Sequence, residues 1–168
     1  MEKLKMDNQI YSHYLSNPEL APLFGKALFR DVVLNDLLGD DASSISYWEG
    51  KQLARRFSLG SIEDVVRFFQ QAQLGDLMLQ KQSAREWQFT LSGGPVTSRL
   101  AIQPDATFSL EAGFLAQTAQ QMIGVVAETE MGETPKRANG ISLVVHLDPK
   151  DPVSDPQELK PMPIINND

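Results

Sequence analysis

Cysteine is absent from this chain of 168 residues. That absence excludes disulfides, thiolate nucleophiles, zinc fingers and iron–sulfur clusters together. It fits a reducing compartment, and the chain reads as cytoplasmic. Histidine is scarce: His13 and His146 are the only two. Neither has a carboxylate at ligand spacing, so no metal site is expected. Basic charge is also in short supply. With 15 Lys and Arg against 22 Asp and Glu, the formal net charge is −7. This disfavours nonspecific binding to nucleic acid or to an anionic membrane. Long hydrophobic runs are missing too. The longest, residues 122–127 counting Gly124, is far too short to span a bilayer. Residues 1–17 lack the apolar core of a signal peptide. No serine lies in a nucleophile elbow. Ser92-Gly93-Gly94-Pro95 is not followed by Gly-Lys-Ser/Thr and reads as a turn, not a phosphate loop.

The material for one globular domain is nevertheless present. Hydrophobic residues make up 42% and charged residues 22%, enough to build an ordinary core at this length. Residues 1–18 are a polar N-terminal segment with scattered aromatics, and residues 19–148 read as a single α+β domain. From Pro149 onward the chain holds five of its ten prolines and no periodicity. Residues 149–168 therefore read as a flexible, Pro-rich acidic tail.

Within the domain, residues 23–38 carry Leu23, Phe24, Phe29, Val33, Leu37 and further apolar side chains around nearly the whole circumference of a helix. A helix apolar on all sides must be covered on more than one side. In a small domain, the second cover is another chain. Gly39 and the aspartates after it stop this helix. A second helix starts near Ser43 or Ser44, with Tyr47, Gly50, Leu53, Ala54 and Phe57 on one face. Gly50 inside a helix costs up to about 1 kcal/mol relative to alanine, and close packing against a neighbouring helix is the expected compensation. Lys51, Arg55 and Arg56 on the same helix read as a solvated face. Ser61 opens a third helix through a capping-box variant, with Ile62, Val65, Val66 and Phe69 at helical spacing.

The period then changes. Leu77 and Leu79, then Trp87, Phe89 and Leu91, alternate as in a hairpin. Val96, Ser98, Leu100 and Ile102 read as a third strand. Thr107 or Ser109 caps a fourth helix with a smooth face of Ala112, Ala116, Ala119 and Ile123. Two further strands, residues 125–130 and 141–147, follow. The order is ααα-βββ-α-ββ. It predicts a mostly antiparallel five-stranded sheet with helices packed on one face.

Two stretches resemble a known fold. Tyr47-Trp48-Glu49-Gly50-Lys51-Gln52-Leu53-Ala54 looks like the glycine-bearing second helix of 4-vinyl-reductase domains and of the Bet-type subunits of the TRAPP vesicle tether. Phe108-Ser109-Leu110-Glu111-Ala112-Gly113-Phe114-Leu115-Ala116 is similar to the glycine-containing helix start after the strands in 4-vinyl-reductase domains. More closely, residues 20–148 resemble the bacterial YslB family of uncharacterised proteins. The resemblance implies helix-mediated dimers, small apolar ligands or scaffold roles. The cysteine-dependent features of those relatives do not carry over, because this chain has no cysteine. Reductase activity does not carry over either, since fold alone is weak evidence for function.

Three functions stay open at this stage. The first is a noncatalytic binding or scaffold domain working as a homodimer through Leu23, Phe24, Phe29, Val33 and Leu37. The second is a receptor for a small apolar ligand, held between the second and fourth helices by Trp48, Gly50, Phe57, Phe69, Phe114 and Met122. The third, an enzyme, would need Glu128 with Glu130, Asp64 with Arg67, or a histidine. Strand-face carboxylates are more often solvated, and Glu111 is accounted for by the dipole at its helix start. The leading expectation is therefore a noncatalytic domain without a cofactor, with another protein or a small apolar ligand as its further partners.

Overall fold

The computed structural model describes residues 1–133, 139–154 and 160–166. Its elements are α1 (Glu2–Leu15), a helical stretch α2 (24–38), α3 (Ala42–Arg56), α4 (Ile62–Gln71), β1 (Asp76–Gln82), β2 (Glu86–Ser92), α5 (Gly94–Ile102), α6 (Ser109–Ile123), β3 (Val125–Met131) and β4 (Gly140–Pro152). The sheet is antiparallel with strand order β1-β2-β4-β3.

Period-two alternation decides which face of the sheet is buried. Leu77 pairs with Leu91, Phe89 with Leu143, Leu91 with Ile141, and Ala127 with Leu147. All of these side chains are buried. They form the main core with Val65 and Phe69 of α4 and Ala112, Phe114, Leu115 and Ala119 of α6. Residues between them, such as Gln88, Val144 and Glu128, point to the opposite face and keep solvent contact. Ser61 caps α4 as its sequence predicts, its hydroxyl accepting from the Asp64 amide at 3.1 Å. The starts of α3 and α6 carry no side-chain cap.

One expectation needs correction. The third strand does not form, so the sheet has four strands, not five. Residues 94–102 make α5 instead. Pro95 lies in the first helical turn, where its fixed φ is favourable and no N–H is required. Val96 and Leu100 satisfy an i, i+4 spacing as well as alternation, and β2 already has β1 and β4 on its two sides.

The polar N-terminal segment forms helix α1. Ile10 and Tyr14, one turn apart, are buried with Leu23 and Ala27 in a second, smaller core. The region read as a tail begins inside the sheet, since β4 continues to Pro152, which pairs with Val125. Met162 and Ile164 pack back on the main core. Residues 155–159 and 167–168 of that region lie outside the described residues.

Candidate functional site

The helical stretch α2 has two unlike sides. A π-helical turn, Leu28–Val33, interrupts it between α-helical turns Phe24–Ala27 and Leu34–Leu38. Such turns widen a helix locally and recur at functional sites. Leu23 and Ala27 face inward into the small core, and Phe24 is half-buried with its ring edge-on to Tyr11 at 5.9 Å. On the other side Phe29, Val33 and Leu37 are 59%, 40% and 73% exposed, with Leu28 beside them. Of the residues proposed for a dimer helix, then, Leu23 serves the core, Phe24 is divided, and Phe29, Val33 and Leu37 form a bare apolar stripe.

The inner side is pinned by a charge cluster that the sequence did not reveal. Arg30 makes a two-pronged pair with Glu111 at the first turn of α6, at 2.6 and 2.7 Å. Arg99 of α5 binds Asp31 through Nε at 3.0 Å and through the other guanidinium arm at 2.9 Å. Arg99 also donates to the Thr107 carbonyl at 2.6 Å. Both guanidinium groups lie over the Phe108 ring, at 6.0 Å for Arg30 and 4.7 Å for Arg99.

Glu111 has no solvent exposure. Burial pushes its carboxyl up, but the Arg30 charge and hydrogen bonds outweigh this and hold it below its ordinary range. Lys26 completes the cluster and donates to the Gln73 carbonyl. Burial and then the neighbouring Arg30 lower its ammonium to about 8. These groups line a cavity of about 20 Å³, the size of roughly one water centre. No organic ligand fits there.

The second and fourth helices, between which the pocket is expected, are α3 and α6, and they cross in close contact at Gly50. A Cβ added to Gly50 would lie 2.8 Å from the Phe114 amide nitrogen, and closer still to the Leu110 carbonyl oxygen. The two backbones touch, which removes the space a ligand would need at this crossing. The six residues assigned to the pocket differ in burial. Phe69 and Phe114 are core residues in edge contact at 5.7 Å. Trp48 is 60% exposed with Lys51 Nζ 5.3 Å from its ring, Phe57 is exposed, and Met122 is half-buried.

Of the residues held in reserve for catalysis, Glu128, Glu130 and His146 are engaged in side-chain pairs. Glu128 accepts from the Tyr47 hydroxyl and from Lys51 at 2.7 Å. Lys51 is therefore buried and paired, not part of a solvated basic face, and Arg55 donates to Gln117 at 3.2 Å. Glu130 pairs with His146 at 2.9 Å on the exposed sheet face. His13 sits on α1 with its ring edge-on to Tyr14, in a different element from His146. Asp64 is in the first turn of α4. No group of side chains suited to hold a metal ion occurs among the described residues. No described helix is long and apolar enough to cross a membrane.

The arrangement is an antiparallel sheet under a glycine-crossed helix pair, and comparison with known proteins matches it. Residues 23–146 match the model of a family described as a protein of unknown function, DUF2507. The chain belongs to the DUF2507 family. It is 43% identical over 126 residues to the uncharacterized protein YslB of Bacillus subtilis (strain 168), covering 75% of this chain and 84% of YslB. Among solved structures it is similar to a vinyl-4-reductase family protein from Methanocaldococcus jannaschii, with a TM-score of 0.53 at 19% identity, covering 76% of this chain and 81% of that one. A trafficking protein particle complex subunit 3 from Naegleria fowleri, covalently bound to palmitic acid, aligns with a TM-score of 0.43 at 12% identity over 91% of this chain and 99% of its own. The DUF2507 match begins at residue 23, so α1 and the segment after β4 lie outside it.

Proposed function

We propose that this DUF2507 domain is a noncatalytic binding or scaffold domain that works as a homodimer through the outer face of α2. The observation that carries this reading is the stripe of Phe29, Val33 and Leu37, bare to solvent on a helix whose opposite side is fixed by Arg30 and Asp31. The four neighbouring positions 28–31 thus divide the helix into an anchored side and a sticky side. A contiguous apolar stripe of this kind marks an association surface, and a two-fold dimer buries the same patch on both copies. The engagement of Glu128, Glu130 and His146 in surface pairs supports a role without catalysis.

Sedimentation velocity with light scattering tests the proposal. The wild-type chain is expected to sediment as a dimer. Phe29→Asp and Leu37→Asp are expected to give monomers with native circular dichroism, because both side chains are exposed in the single chain. A wild-type chain that stays monomeric up to its solubility limit would overturn the reading.

A further inference from the structure

The segment after β4 is seated on a surface that has the features of a peptide site. Residues 160–166 have no helix or strand of their own. They run along the α3–α4 loop and α4. The Met162 amide donates to the Ser58 carbonyl at 2.7 Å, and Gln71 Nε2 donates to the Ile165 carbonyl at 2.7 Å. Both ends of a short stretch are thus clamped by hydrogen bonds. Between the clamps the burial alternates. Met162 and Ile164 are half-buried against the main core, whereas Pro161, Pro163 and Ile165 are exposed. This period of two belongs to an extended peptide with one face down.

The receiving surface is shaped for it. A Cβ on Gly60 would fall 2.9 Å from Pro161 Cγ and 3.0 Å from Pro161 Cβ, so the bare glycine is what lets the proline ring settle. The prolines sit where no amide is used, since the amide that binds belongs to Met162. Proline also pre-sets an extended backbone, which reduces the ordering cost of docking.

We infer that the groove formed by Ser58, Gly60 and Gln71 is a binding site for extended peptides of the pattern Pro-apolar-Pro-apolar, and that residues 161–165 occupy it in cis as an intramolecular competitor. The recognised features are an amide at the first apolar position, apolar side chains two apart, and a carbonyl after the second. A partner segment with this pattern must displace the chain's own. The tethered segment competes at an effective concentration of ~mM, so the site is closed to weak ligands and open to strong ones. The site lies apart from the α2 stripe, and neither proposal depends on the other.

The test uses the full-length chain and a fluorescein-labelled peptide of the sequence Lys-Pro-Met-Pro-Ile-Ile-Asn, followed by anisotropy. A full-length Met162→Asp/Ile164→Asp variant frees the groove. It is expected to bind the peptide saturably, about a hundredfold tighter than the wild type does, and Gly60→Val added to it is expected to abolish binding. Equal binding to wild type and variant, or no binding to a variant with native circular dichroism, would overturn the inference. Hydrogen exchange of the wild type gives a second reading that needs no variant. The Met162 amide is expected to be protected, and exchange at the rate of a free peptide would also overturn it. If the Met162→Asp/Ile164→Asp variant loses a dimer that the wild type forms, the segment sits in the groove of a second copy and the cis assignment fails.

Discussion

Gly50 of α3 and Gly113 of α6 lie at one helix crossing, each against the backbone of the other helix. A Cβ on Gly50 would fall 2.8 Å from the Phe114 amide nitrogen, and one on Gly113 would fall 2.8 Å from the Tyr47 carbonyl carbon. Backbone atoms cannot swing aside as a side-chain tip would, so a methyl group at either position forces the helices apart. Gly50→Ala or Gly113→Ala is expected to lower stability by about 3 kcal/mol, the upper part of the overpacking range, despite a helix-propensity gain of about 1 kcal/mol. Urea denaturation measures it. A neutral or stabilising alanine would show that the helices are not in backbone contact.

This crossing is legible in the sequence because a glycine within a helical apolar face costs propensity that only a close backbone approach returns. The hairpin, β3, β4, α4 and its Ser61 cap are legible for a similarly local reason: period and capping residues lie within a few positions of each other. The stretch 94–102 reads as a strand because Val96 and Leu100 satisfy both periods, and Pro95 suits a strand break as well as a helix start. Helix α1 leaves a weak pattern because its buried face rests on Ile10 and Tyr14, whose partners Leu23 and Ala27 lie in another element. The charge cluster leaves no local trace. Arg30 and Glu111 are separated by 81 positions and Arg99 and Asp31 by 68, and each looks like an ordinary surface charge until the chain folds. The apolar stripe of α2 is half legible. Its all-round hydrophobicity signals two covers, but only the structure separates the inward Leu23 from the outward Phe29.

Glu111 and Arg30 supply a second prediction. Glu111 is fully buried and Arg30 nearly so in the paired state. Removing one charge leaves the other stranded in a medium of low polarity. Glu111→Gln is expected to cost about 3–5 kcal/mol, and adding Arg30→Met should recover much of the loss. The pH dependence has a defined sign. The folded carboxyl is held below its ordinary value of 4.5, so its stabilising contribution is complete above that value and is lost as pH falls through the folded value. Denaturant titrations of the two variants and the wild type provide the comparison. A cost below about 1 kcal/mol for Glu111→Gln, the range of exposed pairs, would contradict the buried pairing.

Lys26 predicts an unusual alkaline behaviour. Burial, followed by Arg30, lowers its ammonium from 10.5 to about 8. Between those values the unfolded chain holds a proton that the folded chain has released, so stability rises with pH. Below that window both states are protonated and the cost of burying the charge is fully present. Tyr14 and Tyr47 work in the opposite direction. Burial raises both phenols above 10.0, so above that value the unfolded chain ionises first and stability falls. The expected profile climbs from pH 8 to a maximum near pH 10, by about 1–2 kcal/mol after allowing for the partial exposure of Lys26. Lys26→Met should flatten the climb and leave the later fall. A wild-type profile that is flat or descending across this window would show that Lys26 is solvated.

The last prediction concerns the edge of the sheet. β3 is an edge strand, and an edge strand exposes backbone groups that invite pairing with another chain. Tyr47 blocks one of them, its hydroxyl oxygen accepting from the Thr129 amide at 3.1 Å while its proton goes to Glu128. Lys51 holds the other Glu128 oxygen at 2.7 Å, so the carboxylate stays in position if the tyrosine hydroxyl is removed. Tyr47→Phe keeps the ring and its packing but leaves the Thr129 amide without that acceptor. The expected loss is about 1–2 kcal/mol. Hydrogen exchange should accelerate more at Thr129 than at Leu143 in the buried part of β4, because the change frees an edge amide in addition to lowering the overall stability that both positions share. Concentration-dependent aggregation of the variant should rise with the edge unguarded. If Thr129 exchanges at the same rate in both proteins, Tyr47 does not cap the strand and its contact with Glu128 serves only to hold α3 beside the sheet.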